Sequence, residues 1–143
     1  MLRKYDLSML NNYNWEEAFM QCSPPNPVMG DSNVSASEFS INDVKNIIAI
    51  SPGENDGAEW IGLFVLEDGR YVFVSAGCDY TGWDCQASGQ GIVSDDLRDI
   101  FNLGITEGEK ERLQLTGEDI NELLSSSLQI GNERERFGMM DFD

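Results

Sequence analysis

The sequence predicts an α+β fold, in which a small antiparallel meander of about three strands, from about Trp60 to Val93, is packed by several short helices. Two apolar runs flank Asp68-Gly69, a dipeptide that favours the tight turn of a hairpin, and a third run follows the segment after it. Apolar residues in the first two runs occupy both alternating sets of positions, so both sheet faces need cover. Stretches with helical periodicity on either side of the meander can supply it.

Residues 6 to 21 have the pattern of a helix in two pieces. Asn14 followed by Glu17 three residues later is typical of a helix N-terminus, and the apolar side chains after it repeat at helical spacing. Prolines at 24, 25 and 27 end this helix. Residues 24–40 are rich in Ser, Asn, Asp and Gly, and we predict a flexible loop there.

A second helix is predicted from 41 to 50. Ser40 has the position of an N-cap with Asp43 three residues on, and Val44, Ile47 and Ile48 lie at helical spacing. The sequence Ser-Pro-Gly at 51–53 ends the predicted helix. We expect it to cover one face of the sheet.

Three helix starts are predicted after the meander. Ser94 is the expected N-cap of a helix from 95 to 103, which would cover the other sheet face. Thr106 with Glu109, and Thr116 with Asp119, have the spacing of capping boxes for two further short helices. We predict one domain over residues 1–130 and a mobile tail over 131–143, where periodicity is weak.

The charge balance restricts the partners. The chain of 143 residues has 26 Asp and Glu against 9 Lys and Arg, a net charge of −17. Since contacts to a phosphate backbone are made by cations, we expect no direct binding of nucleic acid, and the same argument disfavours anionic membranes. An acidic surface instead favours basic proteins as partners, or serves solubility alone.

The absence of His limits the chemistry. With no His in the chain, Ser-His-Asp, Cys-His and HExxH sites are excluded. A pair of carboxylates acting as general acid and base is the other enzymatic route, but in a chain this acidic solvated surface charge is the more frequent role of such residues. We predict no catalytic residues and no cofactor. Three Cys are an odd number, residues 1–6 do not have the pattern of a secretory signal, and no apolar run is long enough to span a bilayer. We expect reduced thiols and a cytoplasmic location.

The segment from Cys78 to Cys85 concentrates chemistry-bearing side chains at one turn. Zinc binding would need an unusual ligand spacing, and a nucleophilic thiol would need a lowered pKa, which neighbouring carboxylates oppose. The remaining interpretations are a structural turn with packed aromatic rings, or a binding surface in which Tyr80 and Trp83 are rimmed by Asp79 and Asp84.

Glu54, Asp56 and Glu59 form a second acidic group, in the turn before the first predicted strand. The spacing does not match the alternating oxygen ligands of an EF-hand loop, so we predict no metal site. With Asp79, Tyr80, Trp83 and Asp84, these three residues make up the predicted binding surface.

Four segments carry a resemblance to a known family. They are NNYNWEEAF at 11–19, GENDGAEWIGLF at 53–64, GRYVFVSAGCDYTGWDCQASG at 69–89 and LGITEGEKERL at 103–113. Together they resemble a family of small uncharacterised bacteriophage and bacterial proteins that share the SAGCDYTGWDCQAS segment. The resemblance implies a phage or prophage context and no catalytic residues.

These observations predict a non-enzymatic, acidic interaction protein. We expect a phage-encoded inhibitor that binds the basic site of a host nucleic-acid-handling or defence protein by imitating nucleic acid. The alternative is a small ligand-binding or metal-binding module, or an enzyme, built on the turn from Cys78 to Cys85.

Overall fold

The computed structural model describes residues 2–28 and 34–126 and contains one five-stranded mixed sheet. Its strands are β1 (Asn26–Pro27), β2 (Val44–Ser51), β3 (Trp60–Leu66), β4 (Tyr71–Asp79) and β5 (Gly82–Ser94), in the order β1-β5-β4-β3-β2. Strands β2 to β5 pair antiparallel, and β1 pairs parallel to β5. The α+β class is confirmed, whereas the meander of about three strands is extended by one strand on each side.

The helices are short and lie on both faces of the sheet. They are α1 (Tyr13–Cys22), α2 (Leu97–Asp99) with a π-helical continuation (Ile100–Gly104), α3 (Glu107–Arg112) and α4 (117–126), with 3-10 turns at Leu7–Leu10 and Ile41–Asp43. Within residues 2–28 and 34–126, no helix has the length and apolar character that crossing a bilayer requires.

The predicted helix from 41 to 50 is wrong, because Val44–Ser51 is the edge strand β2. The capping box of Ser40 and Asp43 is present, but it caps a single 3-10 turn over Ile41–Asp43. Two register shifts interrupt the pairing of β2 with β3, so its buried residues do not alternate strictly. β-branched side chains dominate the strand, as its conformation favours.

The N-cap of helix α1 lies two residues before the cap predicted at Asn14. The side chain of Asn12 is the N-cap and accepts the backbone N–H of Trp15 at 2.9 Å. Asn14 instead accepts the indole N–H of Trp83, with 3.0 Å between Oδ1 and Nε1. The side chain predicted to cap the helix therefore joins α1 to β5.

Parts of the predicted loop from 24 to 40 are attached to the sheet. Asn26–Pro27 pairs with β5, and Val28 is buried. The guanidinium of Arg70, which is buried and paired with Asp68, donates to the backbone oxygens of residues 35 and 37 at 3.0 and 2.9 Å. Residues 29–33 of this loop, and the predicted tail at 131–143, lie outside the described residues.

The two capping boxes predicted after the meander are confirmed, whereas the predicted N-cap of the first helix there is shifted by two residues. Thr106 with Glu109 caps α3, and Thr116 with Asp119 makes the same reciprocal bonds at the start of α4. The N-cap of α2 is Asp96 rather than Ser94, whose hydroxyl accepts the N–H of Asp96 at 3.0 Å. Helix α2 and its continuation cover one sheet face, as predicted for residues 95–103.

Two apolar clusters fill the space on either side of the sheet. The cluster under α1 includes Trp15, Phe19, Phe64, Val74 and Trp83, and the opposite one includes Leu63, Phe73, Leu97, Ile100 and Leu113. Helix α1 approaches β5 closely because two positions there have no side chain. A Cβ at Gly89 would stand 2.7 Å from Gln21 Cβ, and one at Gly91 only 2.4 Å from the carbonyl oxygen of Cys22.

Candidate acidic binding site

An open cavity of about 720 Å³ lies where the end of the β4–β5 hairpin meets the turn before β3. Three carboxylates, two thiols and small or polar residues of β4 and β5 line it: Asp56, Glu59, Asp79, Cys78, Cys85, Gly57, Gly77, Gln86, Ala87 and Ser88. The sequence-predicted residues Asp56, Glu59 and Asp79 are thus brought together from two separate turns.

The turn over residues 54–58 places the first two carboxylates. The N–H of Glu54 donates to the carbonyl of Ala58 at 2.9 Å, and the N–H of Asp56 donates to the carbonyl of Cys78 at 2.8 Å. Asp56 has φ of 56°, a left-handed conformation that Asp adopts more readily than most residues. The first bond closes the turn, and the second holds it against the end of β4.

The hairpin tip places the third carboxylate. Asp79 pairs with Gly82, whose φ of 97° suits glycine, and the Asp79 carboxylate accepts both the N–H and the hydroxyl of Thr81. The next pair is Cys78 with Ala87, so residues 83–86 form an insertion in β5 that has no counterpart on β4. This bulge turns Trp83 toward α1.

Trp83, a predicted binding residue, is a core residue. It is 7% exposed, its ring centroid lies 5.2 Å from that of Trp60, and its N–H is bonded to Asn14. Tyr80, by contrast, is 78% exposed at the hairpin tip. The aromatic part of the predicted surface is therefore reduced to Tyr80.

Two predicted acidic residues stand outside the cavity lining. Glu54 is exposed and its side chain lies over Gly57, where an added Cβ would stand 2.6 Å from Glu54 Cγ. Asp84 is exposed on the bulge; with Glu17 it adds to the effect of burial in raising the pKa of Tyr13. Both residues extend the negative surface beyond the cavity.

The cavity carboxylates have no cationic partner among the described residues. Glu59 accepts the hydroxyl of Ser75 at 3.0 Å, and the salt bridges of the described part join other residues: Arg70 to Asp68, Arg98 to Asp96 and Lys110 to Glu107. Arg112, the cation whose guanidinium bonds nearby, donates to Ser51 Oγ and to the backbone oxygen of Glu59 rather than to its carboxylate.

All three thiols are free, and the surroundings of Cys22 and Cys78 do not activate them. Burial raises the pKa of Cys22 to about 11. Burial, and then the charge of Asp79, raise the pKa of Cys78, whose thiol donates to Asn55 Oδ1 at 3.3 Å. Raised pKa values oppose thiolate chemistry, which requires the ionised form. Cys85 is exposed on the bulge.

Over residues 2–28 and 34–126, no group of three or more His, Cys, Asp or Glu side chains is arranged to hold a metal ion. The polar β5 residues of the cavity, Gln86 and Ser88, were missed by the sequence analysis. Only the pairing of β4 with β5 could have predicted them, because Ser88 lies opposite Gly77 once the register of the two strands is known.

Comparisons of the chain with protein-family models, with curated proteins and with solved structures found no match. A proposal about function therefore has to be argued from the site.

Proposed function

We propose that the chain is a non-enzymatic interaction protein that binds the basic site of a host nucleic-acid-handling or defence protein, in place of nucleic acid. The sequence resemblance to phage and bacterial proteins supports a phage-encoded inhibitor that acts in the host cytoplasm. The acidic surface at the end of the β4–β5 hairpin is the contact surface in this proposal.

The observation that carries the proposal is the unpaired charge around the cavity. Asp56, Glu59 and Asp79 line one concave surface, and no salt bridge of the described part includes them. With 26 acidic residues against 9 basic ones, many carboxylates lack a cation, and what distinguishes these three is that they line one concave surface. A group without cations presents a negative potential, which attracts a basic cleft and speeds association with it.

Exposed Tyr80 adds an apolar contact to this surface. A tyrosine that is 78% exposed at a hairpin tip has a large ring available for a partner, and an arginine side chain can stack on that ring. The surface therefore offers carboxylates for salt bridges and a ring for cation–π contact, which together suit an arginine-rich site.

A matched pair of triple variants tests the proposal. D56N, E59Q and D79N remove the three cavity charges with little change of shape, while E111Q, E118Q and E122Q remove three charges from exposed positions of α3 and α4. Both sets change the net charge of −17 equally. Tagged proteins are used to capture host proteins at low salt, and captured proteins are eluted with duplex DNA.

We expect the wild type and the α3–α4 variant to capture the same basic protein and to release it to DNA. The cavity variant should bind it about tenfold or more weakly, and added salt should weaken the wild-type complex steeply because it screens charge. Equal binding by both triple variants, or capture that salt and DNA do not affect, would contradict the proposal.

The open cavity favours a second function, a small-molecule-binding module on the turn from Cys78 to Cys85. Its volume of about 720 Å³ is in the range of ligand pockets, and the thiols of Cys78 and Cys85 line it. A screen of melting temperature against small metabolites tests this function. A saturable rise that C85S abolishes would support it over the inhibitor.

A further inference from the structure

A second concave surface, the groove between α1 and residues 38–41, shares no lining residue with the acidic cavity. It encloses about 640 Å³ and is lined by Glu16, Phe19, Met20, Ser23, Glu38, Phe39, Ser40 and Ile41. We infer that this groove binds a segment of a partner protein that presents a large apolar side chain flanked by Lys or Arg. This inference goes beyond the proposed function and does not depend on it.

The floor of the groove is apolar and held in place. Phe19 and Phe39 pack edge to face with 5.6 Å between their ring centroids, and the N–H of Phe39 donates to Ser23 Oγ at 2.9 Å. Ile41 is partly buried beside them. A floor of fixed aromatic rings allows an apolar side chain to bind with little loss of protein entropy.

Met20 supplies an adaptable apolar wall. It is 64% exposed although it lies on α1 directly after buried Phe19. Flexible, polarisable methionine side chains are common on surfaces that bind peptide segments, because they adapt to the shape of the ligand. Its exposure beside an aromatic floor indicates a contact that the described fold leaves unused.

Two carboxylates select the charge of the occupant. Glu16 and Glu38 are both exposed on the lining of the groove, and neither belongs to a salt bridge of the described part. They disfavour anionic lipid headgroups and nucleic acid. A second copy of this chain, with its net charge of −17, is disfavoured for the same reason. Charge complementarity therefore points to a cationic segment around an apolar anchor.

The probe for the test is a fluorescein-labelled peptide with a central Phe-Leu pair and two arginines on each side. One control peptide replaces the arginines with glutamates, and another replaces Phe-Leu with two serines. Binding is followed by fluorescence anisotropy, and the bound position is mapped from backbone amide shifts in NMR spectra of the full chain.

We expect saturable binding of the arginine peptide, with about fivefold or greater weakening in M20A and in the pair E16Q and E38Q. L103A and the pair E111Q and E118Q are matched controls, since Leu103 is 58% exposed and both glutamates are exposed elsewhere. These controls, and the cavity variant D56N, E59Q and D79N, should bind the peptide as the wild type does.

Three results would overturn the inference. The first is equal affinity for a control peptide: for the glutamate peptide it would mean that the groove does not select charge, and for the serine peptide that it does not bind the apolar anchor. The second is a loss in L103A as large as in M20A. The third is amide shifts that cluster at residues 54–59 and 78–88, which would place the peptide in the acidic cavity. The cavity variant leaves the groove unchanged, so its peptide binding reports on this inference alone and not on the inhibitor proposal.

Discussion

Replacing Trp83 separates a structural role from a binding role at the hairpin. The indole is 7% exposed, packs against the Trp60 ring at a tilt of 50° and donates to Asn14 at 3.0 Å. Burial of a large aromatic side chain contributes several kcal/mol, so we expect W83A to lower the free energy of unfolding by about 3–5 kcal/mol. Y80A, at the exposed tip of the same hairpin, should change it by less than about 0.5 kcal/mol.

Urea denaturation followed by far-UV circular dichroism measures both effects without relying on tryptophan fluorescence. A cycle of W83F, N14A and the double variant isolates the hydrogen bond, and we expect a coupling energy of about 0.5–1.5 kcal/mol between Trp83 and Asn14. If W83A is as stable as the wild type, Trp83 is not packed under α1, and the sequence-based assignment to the binding surface regains its basis.

Two further predictions concern the contact of α1 with β5. G91A should destabilise by about 1–3 kcal/mol, because the new Cβ meets the backbone oxygen of Cys22 at 2.4 Å. G108A in α3 is the control: its added Cβ meets no atom within 4 Å, so we expect it to stabilise the fold by about 0.5–1 kcal/mol. Equal urea midpoints for G91A and G108A would contradict the close approach of α1 to β5. The raised pKa of buried Cys22, about 11, means that the folded state holds a proton that the unfolded chain loses near pH 8.5, so stability falls as pH rises between these values. From about pH 8 to about pH 10.5, the urea midpoint should drop further in the wild type than in C22A, with a difference of roughly 2–3 kcal/mol in the free energy of unfolding. Equal drops in the two proteins would refute this prediction.

The error at β2 shows why periodicity alone was insufficient there. Val44 and Ile47 are buried three positions apart because register shifts interrupt the strand, and this spacing coincides with that of a helix. The capping box at Ser40 and Asp43 was real but led into one 3-10 turn. The β-branched run that follows pointed to a strand, whereas the hairpin turn at Asp68-Gly69 was unambiguous because local chemistry decides it.

The site depended on contacts that are distant in sequence. The composition and turns of the chain indicated where carboxylates concentrate, and Asp56, Glu59 and Asp79 do meet. The burial of Trp83 requires Asn14, which is 69 residues away, and the parallel pairing of Asn26 with Ile92 spans a similar separation. No local pattern specifies such pairings, because they follow from how the sheet and α1 assemble.

Arg70, Arg98, Lys110 and Arg112 bond to groups other than the cavity carboxylates, which leaves ions of the surrounding solution to balance their charge. Small cations accumulate around such a surface and lose translational freedom there. A cationic molecule that arrives displaces them, and the entropy of the released ions favours association, as it does when proteins bind duplex DNA. Because the described salt bridges and the bonds of Arg112 lie elsewhere, small cations from solution screen the cavity carboxylates, and the salt dependence of a complex would report how many of these ions are released.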